Sequence, residues 1–208
     1  RLVRKWLGIE FDGFTYPEKF LCLTARTELA DHLANLALVN YVSDPAEWLV
    51  LLRVPSLWRV LVPTDEAMSD AELLSDAVKD GIFDRLIGNG GDIQTDHRTL
   101  YRVHQRVAKS FTDGRVILIG DAAHLNNPLG GFGMNSGVHD AFDLFGEIEP
   151  VLRSGASTDR VARFERRRRT VTHAFTQAQT IQNMEYIKVG NGAAHQAHIL
   201  DRVGAVEP

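Results

Sequence analysis

One stretch of the chain, Gly120–Asn135, constrains the fold more than any other. It begins Gly-Asp-Ala-Ala-His and continues through Pro-Leu-Gly-Gly-Phe-Gly-Met-Asn. The apolar run Val116–Ile119 directly before it predicts a strand buried on both faces. The segment after it has apolar residues at helical spacing, namely Val138, Ala141, Phe142, Phe145, Ile148 and Leu152. A strand, an acidic residue, a Pro/Gly-rich loop and a helix N-terminus in this order are typical of a small-molecule site at the carboxyl end of a sheet strand.

The glycines of this stretch do not form a dinucleotide-binding fingerprint. Gly131–Gly137 matches the pattern G-x-G-x-x-G only with Ser136 in the third glycine position. The fingerprint follows its strand immediately, whereas about ten residues separate Gly120 from Gly131. What remains is a glycine-rich helix N-terminus, where unpaired N–H groups and the helix dipole favour negative charge on a bound group. The pattern therefore predicts a cofactor site of another kind.

The composition excludes several classes of protein. The chain has 208 residues, enough to bury a core, and its net charge of −4 argues against a general nucleic-acid or membrane-surface role. No apolar run is long enough to cross a bilayer, so no membrane partner is expected. The single cysteine, Cys22, excludes an internal disulfide framework. These features together predict a cytoplasmic protein.

Two groups of basic residues are interpreted as structural. Arg166–Arg169 are consecutive on a helix, so they point around most of its circumference and cannot form one basic face. We expect a solvated face with local ion pairs there. His195 and His198 have the spacing of a metal-binding pair, but no third ligand stands in a suggestive position. A solvated pair is favoured, and no metal site is predicted.

Residues 14–63 predict an antiparallel sheet. Aliphatic and aromatic residues separated by turn signals form the segments Glu18–Arg26, Leu36–Ser43, Trp48–Val54 and Leu57–Pro63. A turn is predicted at Asp44–Glu47. A capping box at Ser69–Glu72 opens a helix that ends at Gly88, and we expect this helix to cover the sheet. A further strand is predicted at about Asp92–Ala108.

Two helices are predicted after the glycine-rich loop. The first ends near Ser154 and Gly155, and the second spans Thr158–Lys188 with Ser157 or Thr158 as its cap. Its predicted buried stripe consists of Val161, Phe164, Val171, Phe175, Ala178 and Ile181. The small and polar residues from Gly190 onward predict a loose tail.

The motif residues carry a resemblance to a known family. Gly120–His124 together with Pro128–Ala141 resembles the second flavin motif of the FAD-dependent aromatic hydroxylases, the single-component flavoprotein monooxygenases related to p-hydroxybenzoate hydroxylase. Tyr101–Ala108 and Gly114–Val116 resemble the approach to that motif, and Gln177–Asn183 resembles the helix after it. The resemblance covers most of the chain.

The resemblance implies a mixed α/β (α+β) fold. An antiparallel substrate-domain sheet covered by helices would join the C-terminal part of a glutathione-reductase-like FAD-binding domain. The family's first βαβ unit, with its glycine fingerprint, has no counterpart in this sequence, so we expect the N-terminal Rossmann unit to be absent and only the C-terminal portion to be present. The implied segments are the end of an FAD-domain segment at 1–13, a substrate-binding domain at 14–110, an FAD-binding segment at 111–155, a long C-terminal helix at 156–190 and a flexible tail at 191–208.

The resemblance also implies which residues bind FAD. Asp121, which follows Gly120, would hydrogen-bond a ribityl hydroxyl, and Pro128 would lie beside the flavin ring and the substrate. Backbone N–H groups at the helix start would face the pyrimidine edge of the ring. The glycine loop and helix start contribute Gly130, Gly131, Gly133, Met134 and Asn135 to the cofactor-binding set.

Two further residues are candidates in the same site. We expect His124 mainly to fix the loop through hydrogen bonds, although a His beside a cofactor can also relay a proton. Arg106 either reaches the cofactor or holds the sheets together, and both interpretations stay open. No side chain is assigned a catalytic role, because the cofactor carries the chemistry.

The function implied is that of an FAD-dependent monooxygenase fragment, incomplete and inactive alone, that hydroxylates a phenolic small molecule with O2 and NADH or NADPH. Its partners would be the aromatic substrate, the missing N-terminal FAD-binding half and, as an open question, a second copy in a homodimer. The alternatives are another FAD-dependent oxidoreductase of the same fold, such as an epoxidase, and a truncated non-catalytic binding module. An apolar substrate wall is expected from one alternation face of the residues Phe20, Leu36, Leu38, Tyr41, Leu49 and Trp58.

Overall fold

The computed structural model describes residues 1–43 and 48–188. The chain divides into two compact units, each formed by two separate stretches. Unit 1 comprises Arg1–Tyr16 and Val103–Met184, and unit 2 comprises Pro17–Arg102 and Glu185–Pro208. The predicted turn at 44–47, the predicted tail at 191–208 and the pair His195 and His198 lie outside the described residues.

Strands and helices alternate in a mixed order along the chain. The strands are β1 (Phe11–Ala25), β2 (Val39–Val42), β3 (Leu49–Val54), β4 (Leu57–Pro63), β5 (Thr95–Ala108), β6 (Thr112–Asp113), β7 (Val116–Ile117) and β8 (His124–Leu125). The helices are α1 (Leu2–Trp6), α2 (Asp70–Leu73), α3 (Asp76–Ile87), α4 (Phe132–Ser154), α5 (Asp159–Val171) and α6 (Ala178–Lys188), with a π-helical turn at Thr172–Gln177 between the last two. The larger sheet has the order β2-β3-β4-β1-β5-β8, and β6 pairs with β7 in a separate hairpin.

The antiparallel sheet predicted for residues 14–63 is confirmed, with β1 longer than expected. β4 has the predicted bounds, and β1 begins at Phe11 rather than near Glu18. In unit 2 the strands bury alternate residues against α3, whose Ile82 and Phe83 belong to the same core cluster. The sheet and its covering helix therefore form the core that the sequence predicts.

The helix opened by the capping box is in fact two helices. Ser69 and Glu72 form both bonds of the box, but α2 ends after one turn. Ser75 then accepts a hydrogen bond from Val78 N–H and begins α3, which ends at Gly88 in a left-handed conformation. A second Ser cap inside the predicted helix competes with its continuation, which is why the helix is broken there.

The residues expected to supply the substrate wall are divided between the two faces of the sheet, so one alternation face at most can form it. The strand register puts Phe20 and Tyr41 on one face of the sheet, because Cys22, Leu61, Val50 and Tyr41 are successive cross-strand neighbours. Leu49 and Trp58 lie on the opposite face, in the core beneath α3. Phe20 itself is buried beside other aromatic rings, with ring centroids 5.4 Å from Trp48 and 5.8 Å from Tyr101.

In unit 1, helix α4 buries polar residues and exposes apolar ones. It begins after Gly131 and ends at Gly155 as predicted. Its buried residues are Ser136, Asp140 and Glu147. The apolar stripe faces solvent, with Met134, Val138, Phe142 and Phe145 between 62% and 83% exposed. The polar face is buried because arginines of α5 pair with it: Arg168 binds Asp140, while Arg163 and Arg167 bind Glu147.

The long C-terminal helix is present but contains a turn that changes its buried face. Ser157, rather than Thr158, accepts from the helix start, at Asp159 N–H. Phe164 is buried as predicted, whereas Val171 and Phe175 are exposed. From Thr172 to Thr180 the buried residues are polar, namely Thr172, Thr176, Gln177 and Thr180, and apolar burial resumes only at Met184 and Ile187. In a π-helical turn each hydrogen bond spans one residue more than in an α-helix. The residues after the turn are therefore rotated about the helix axis, away from the predicted stripe.

The strand predicted before the glycine-rich loop is shorter than expected. β7 contains only Val116 and Ile117, both half-buried, and Leu118 is the buried residue of the run. Within the described residues, β7 pairs only with β6. The expectation of a strand buried on both faces is therefore wrong for this structure. Among the helices of the described ranges, none has the length and apolar character needed to span a bilayer.

Candidate functional site

The candidate site lies entirely in unit 1 and follows the chain from β7 to the start of α4. After β7 the chain makes a 3-10 turn at Gly120–Ala122 and then forms β8. β8 pairs antiparallel with the end of β5, with Arg106 opposite Leu125 and Val107 opposite His124. The segment after β8 leads to Gly131 and into α4. We call residues 120–131 the site loop.

The first end of the site loop is held by the carboxylate of Asp140, which is 0% exposed. Its Oδ2 accepts a hydrogen bond from Gly120 N–H at 2.9 Å and lies 2.7 Å from His124 Nε2. Its Oδ1 accepts from Arg168 Nε at 2.7 Å. Because an ionised carboxylate only accepts, Nε2 of His124 carries the proton in this contact.

The pKa of Asp140 is lowered from its usual value. Burial alone would raise the pKa, because a charge is costly away from water. The hydrogen bonds from His124, Arg168 and Gly120 outweigh that effect. Asp140 is therefore ionised at neutral pH, and charge-assisted hydrogen bonds hold the loop to α4.

The second end of the site loop is held by a network of buried amides. Gln105 Oε1 accepts from Asn127 N–H at 2.9 Å, and Gln105 Nε2 donates to Thr180 Oγ1 at 2.8 Å. Asn127 Nδ2 donates to Thr180 O at 2.7 Å, and its Oδ1 accepts from Leu129 N–H at 3.1 Å. Buried networks of this kind specify a single geometry only when every polar atom finds a partner. The backbone on both sides of Pro128 is held in this way.

The π-helical turn contributes to the same network. Gln177 Nε2 donates to Leu125 O at 3.0 Å, and Gln177 O accepts from Gln105 Nε2 at 3.4 Å. The hydroxyls of Thr176 and Ser136 lie 3.5 Å apart. π-turns are frequent at functional sites, and here the turn aims polar side chains at both the loop and the first turns of α4.

The start of α4 offers donors that no side chain of the described residues caps. Its N-cap is Gly131, in a left-handed conformation, and its first turn has no acidic residue. Beside it, Oδ1 of Asn126 is buried and has no hydrogen-bond partner among the described residues, and a Cβ added at Gly133 would stand 4.0 Å from that atom. Free N–H donors beside a buried acceptor can bind a group that presents both oxygens and N–H.

Most of the predicted cofactor-binding residues are accessible on this loop and helix start. Gly120 and Gly133 are half-buried, and the exposed ones are Asp121, Pro128, Gly130, Gly131, Met134 and Asn135. Gly130 has a φ of +93°, and a Cβ there would come within 2.6 Å of the Phe132 ring, so the position requires glycine.

Both further candidate residues, Arg106 and His124, make contacts that stabilise the fold around the site. Arg106 Nη1 donates to Phe11 O at 3.1 Å and its Nη2 to Thr15 Oγ1 at 3.3 Å, so this guanidinium joins β5 to β1. His124 is buried against Asp140 and the Phe111 ring, in agreement with the expected role in fixing the loop. Its Nδ1 is buried without a partner in the described residues.

Sequence reasoning missed the residues that hold the loop. These are Asp140, Asn127 and Gln105, together with Arg4, whose Nη1 donates to Ala122 O at 2.5 Å. A signal was present for α4, since Ser136, Asp140 and Glu147 lie on one helical face. Hydrophobic periodicity favours burial of the opposite, apolar face, so it points away from these residues.

Comparisons with known proteins agree on one family. The family described as "FAD binding domain" matches residues 2–179 of the chain. A para-nitrophenol 4-monooxygenase from Pseudomonas sp. (strain WBC-3) is 36% identical over 196 residues, which are 92% of this chain and 48% of that protein. The chain thus spans about half the length of the curated relatives it matches.

Solved structures give the same result for the fold. The crystal structure of p-nitrophenol 4-monooxygenase PnpA from Pseudomonas putida DLL-E4 has a TM-score of 0.83 and 34% identity, covering 94% of this chain and 51% of that one. The flavin-dependent monooxygenase PieE, in complex with FAD and substrate, has a TM-score of 0.79 and 25% identity, covering 89% of this chain and 33% of that one. The expected mixed fold with an antiparallel sheet is confirmed.

Proposed function

The chain belongs to the FAD binding domain family, and on that premise we propose that it is part of an FAD-dependent monooxygenase that hydroxylates a phenolic small molecule with O2 and NADH or NADPH. The start of α4 is the observation that carries this proposal, because its uncapped N–H groups stand beside the buried acceptor Asn126 Oδ1. The pyrimidine edge of a flavin presents carbonyl oxygens, which can accept from these N–H groups, and an N–H, which can donate to the Asn126 oxygen.

Each residue of the site loop then has a role toward FAD. N–H groups at Gly133, Met134 and Asn135 hold the carbonyl side of the ring, and the helix dipole stabilises negative charge there. The exposed carboxylate of Asp121 accepts from a ribityl hydroxyl. Pro128, with Gly130 and Gly131, leaves room for the ring and the substrate. When bound, the flavin supplies the redox chemistry, and the protein orients it and excludes water.

The substrate class is supported by the relatives. The names of two of them specify p-nitrophenol, at 36% and 34% identity. A phenolic ring is therefore the substrate we propose for the complete protein, with residues 14–110 as the substrate-binding segment and 111–155 as the FAD-binding segment.

The rest of the FAD site is proposed to lie on a second α/β half, carried by the same polypeptide or by another. Two features of unit 1 support this. The apolar face of α4 is exposed, and one edge of β7 has no neighbouring strand in the described residues. A further parallel strand with its helices would cover both. We accordingly expect the 208-residue chain alone to bind FAD weakly or not at all.

The test is to express the chain together with the sequence encoded before Arg1 and to supply p-nitrophenol, other phenols, NADH or NADPH, and ¹⁸O2. Labelled hydroxylated product with flavin absorbance that survives dialysis supports the proposal. Consumption of NADH or NADPH in the presence of substrate, with no label in any product, would indicate another oxidoreductase. Absence of bound flavin would indicate a non-catalytic binding module.

A further inference from the structure

The buried acid of α4 that binds Gly120 differs from the other acids on that helix. Asp140 joins three elements, because its partners are Gly120 on the 3-10 turn, His124 on β8 and Arg168 on α5. Glu147 is also buried, but within the described residues its ion pairs go only to arginines of α5. The contact of Asp140 with the loop is therefore not needed to join the two helices.

Gly120 is placed with little freedom. Its φ is +55°, and Gly137 of α4 packs so closely that a Cβ added at Gly137 would lie 3.3 Å from Gly120 Cα. The N–H of Gly120 points at Asp140 at 2.9 Å. Gly120 thus packs against the backbone of α4 at Gly137, and its N–H bonds to the side chain of Asp140 on the same helix.

Asp121 follows Gly120 directly, so the conformation of Gly120 sets the direction in which the Asp121 side chain leaves the loop. We propose that Asp140 is a positioning residue for FAD: it holds Gly120 so that the Asp121 carboxylate is aimed at the ribityl chain. This inference rests on the proposed function, because it takes Asp121 as a flavin ligand. Groups that orient a ligand-binding residue can contribute as strongly as the residue itself.

Asp140→Asn is the direct test. Asp140 presents two acceptor oxygens, whereas an Asn presents one oxygen and one NH2 group. At least one of the three groups that donate to Asp140 would therefore face the NH2 donor of the Asn. We expect amide exchange in the 118–126 segment of the chain to accelerate by about tenfold or more, and FAD to bind the complete protein at least about tenfold more weakly. Glu147→Gln is the control, because it removes a buried charge on the same helix without touching the loop; exchange and FAD affinity should stay near wild type.

Gly137→Ala tests the same inference through the second contact of Gly120. Ala is preferred to Gly in a helix interior by about 1 kcal/mol, which offsets the cost of shifting Gly120, and a thermal melt compares the stability of the variant with that of the wild type. The added methyl displaces Gly120 by a few tenths of an ångström, and we expect FAD affinity to fall by about threefold or more. A purely structural role for this contact predicts no loss of FAD affinity at unchanged stability.

The outcomes are distinguishable from those of the proposed function. If the complete wild-type protein binds no FAD, the proposed function fails, and positioning of a flavin fails with it. If the wild type binds FAD but Asp140→Asn and Gly137→Ala bind it as tightly as wild type does, only the positioning role is overturned. If Glu147→Gln weakens FAD binding as much as Asp140→Asn does, the effect is general destabilisation and the inference is also overturned.

Discussion

Amides and carboxylates in unit 1 hold backbone in place at positions where apolar packing would be expected. Gln105 and Asn127 are 1% and 0% exposed, and both bond to backbone of the site loop or to its supports. Glu165 does the same for the hairpin before the loop, since it accepts from Ser110, Phe111 and Thr112. Removing such a residue leaves buried partners unsatisfied, which costs more than the bond contributes.

The first prediction concerns Asn127→Ala. The substitution removes the donor to Thr180 O and the acceptor of Leu129 N–H inside a buried network, so we expect the free energy of unfolding to fall by about 2–4 kcal/mol. Urea unfolding followed by circular dichroism measures this. Asn135→Ala, on the same loop-helix segment but exposed and with its side chain bonded to the nearby Gly131 O, should cost less than about 0.5 kcal/mol. Equal costs for the two variants would contradict the network.

The second prediction concerns pH and Glu165. Burial raises the pKa of this carboxyl, but hydrogen bonds from Thr112, Phe111 and Ser110 outweigh it, so the folded pKa is lowered. The unfolded chain binds the proton at about pH 4.3, above the folded value. Glu165 therefore stabilises the fold above about pH 4.3, and this contribution is lost as the pH falls through the folded pKa.

Urea titrations between pH 6 and 3 test this pH dependence. The free energy of unfolding of the wild type should fall more steeply below about pH 4.3 than that of Glu165→Gln. Glu149→Gln, at an acid whose described ion pair is on the surface of α4, serves as the control and should keep the wild-type slope. Parallel curves for wild type and Glu165→Gln would refute the assignment.

At the scale of elements, two helices depart from their sequence pattern for different reasons. α2 and α3 separate because Ser75 caps the second one. α5 and α6 remain continuous, but the π-turn between them changes which residues are buried. The turn places Gln177 against Leu125, so the departure occurs at the candidate site.

The third prediction is that deletion of the exposed Ala174 removes the π-turn. With one residue fewer, the helix can continue with ordinary hydrogen bonds, and Gln177 and Thr180 move off the Gln105 side chain. We expect a loss of more than about 3 kcal/mol in the free energy of unfolding, because a buried network is broken. The control Ala174→Gly keeps the length and should cost about 1 kcal/mol. A deletion variant as stable as that control would show that the turn is dispensable.

At the scale of the whole molecule, the exposed face of α4 is the feature that unit 1 does not explain by itself. Its apolar residues include Phe142, 83% exposed, and the face continues to Leu152. Contiguous apolar surface of this kind marks an interaction site. The half-length match to relatives is consistent with an α/β half as the partner.

The fourth prediction is that Phe142→Asp acts only in the complete protein. In the 208-residue chain the residue is solvated, so the substitution should change the free energy of unfolding by less than about 0.5 kcal/mol. In the longer protein it buries a charge and should cost at least about 2 kcal/mol. His139→Asp, exposed beside the apolar face, should be nearly neutral in both. Equal effects of Phe142→Asp in both proteins would argue against the proposed α/β half as the partner of this face. Concentration-dependent dimers of the 208-residue chain would indicate that a second copy of the chain covers the face instead.

Much of the fold and the position of the candidate site could be predicted because their signals are local. β4, the capping box and the α4 boundary at Gly155 follow from alternation, caps and glycine, each of which acts within a few residues. The site loop was found in the same way, from a strand, an acid, glycines and a helix start in one continuous stretch. By itself the sequence thus determined most of the elements, the family resemblance and the position of the candidate site.

Only the tertiary structure decided which faces are buried and what holds the loop. Gly120 is bonded to Asp140, and Asn127 to Gln105 and Thr180, across separations of 20, 22 and 53 residues. Periodicity predicts burial of apolar residues, and it fails where buried polar groups find partners in distant segments. α4 and the π-turn are the two places where such partners reverse or rotate the buried face. The physical reason is that a buried polar group is stable only once the chain has brought its partners together.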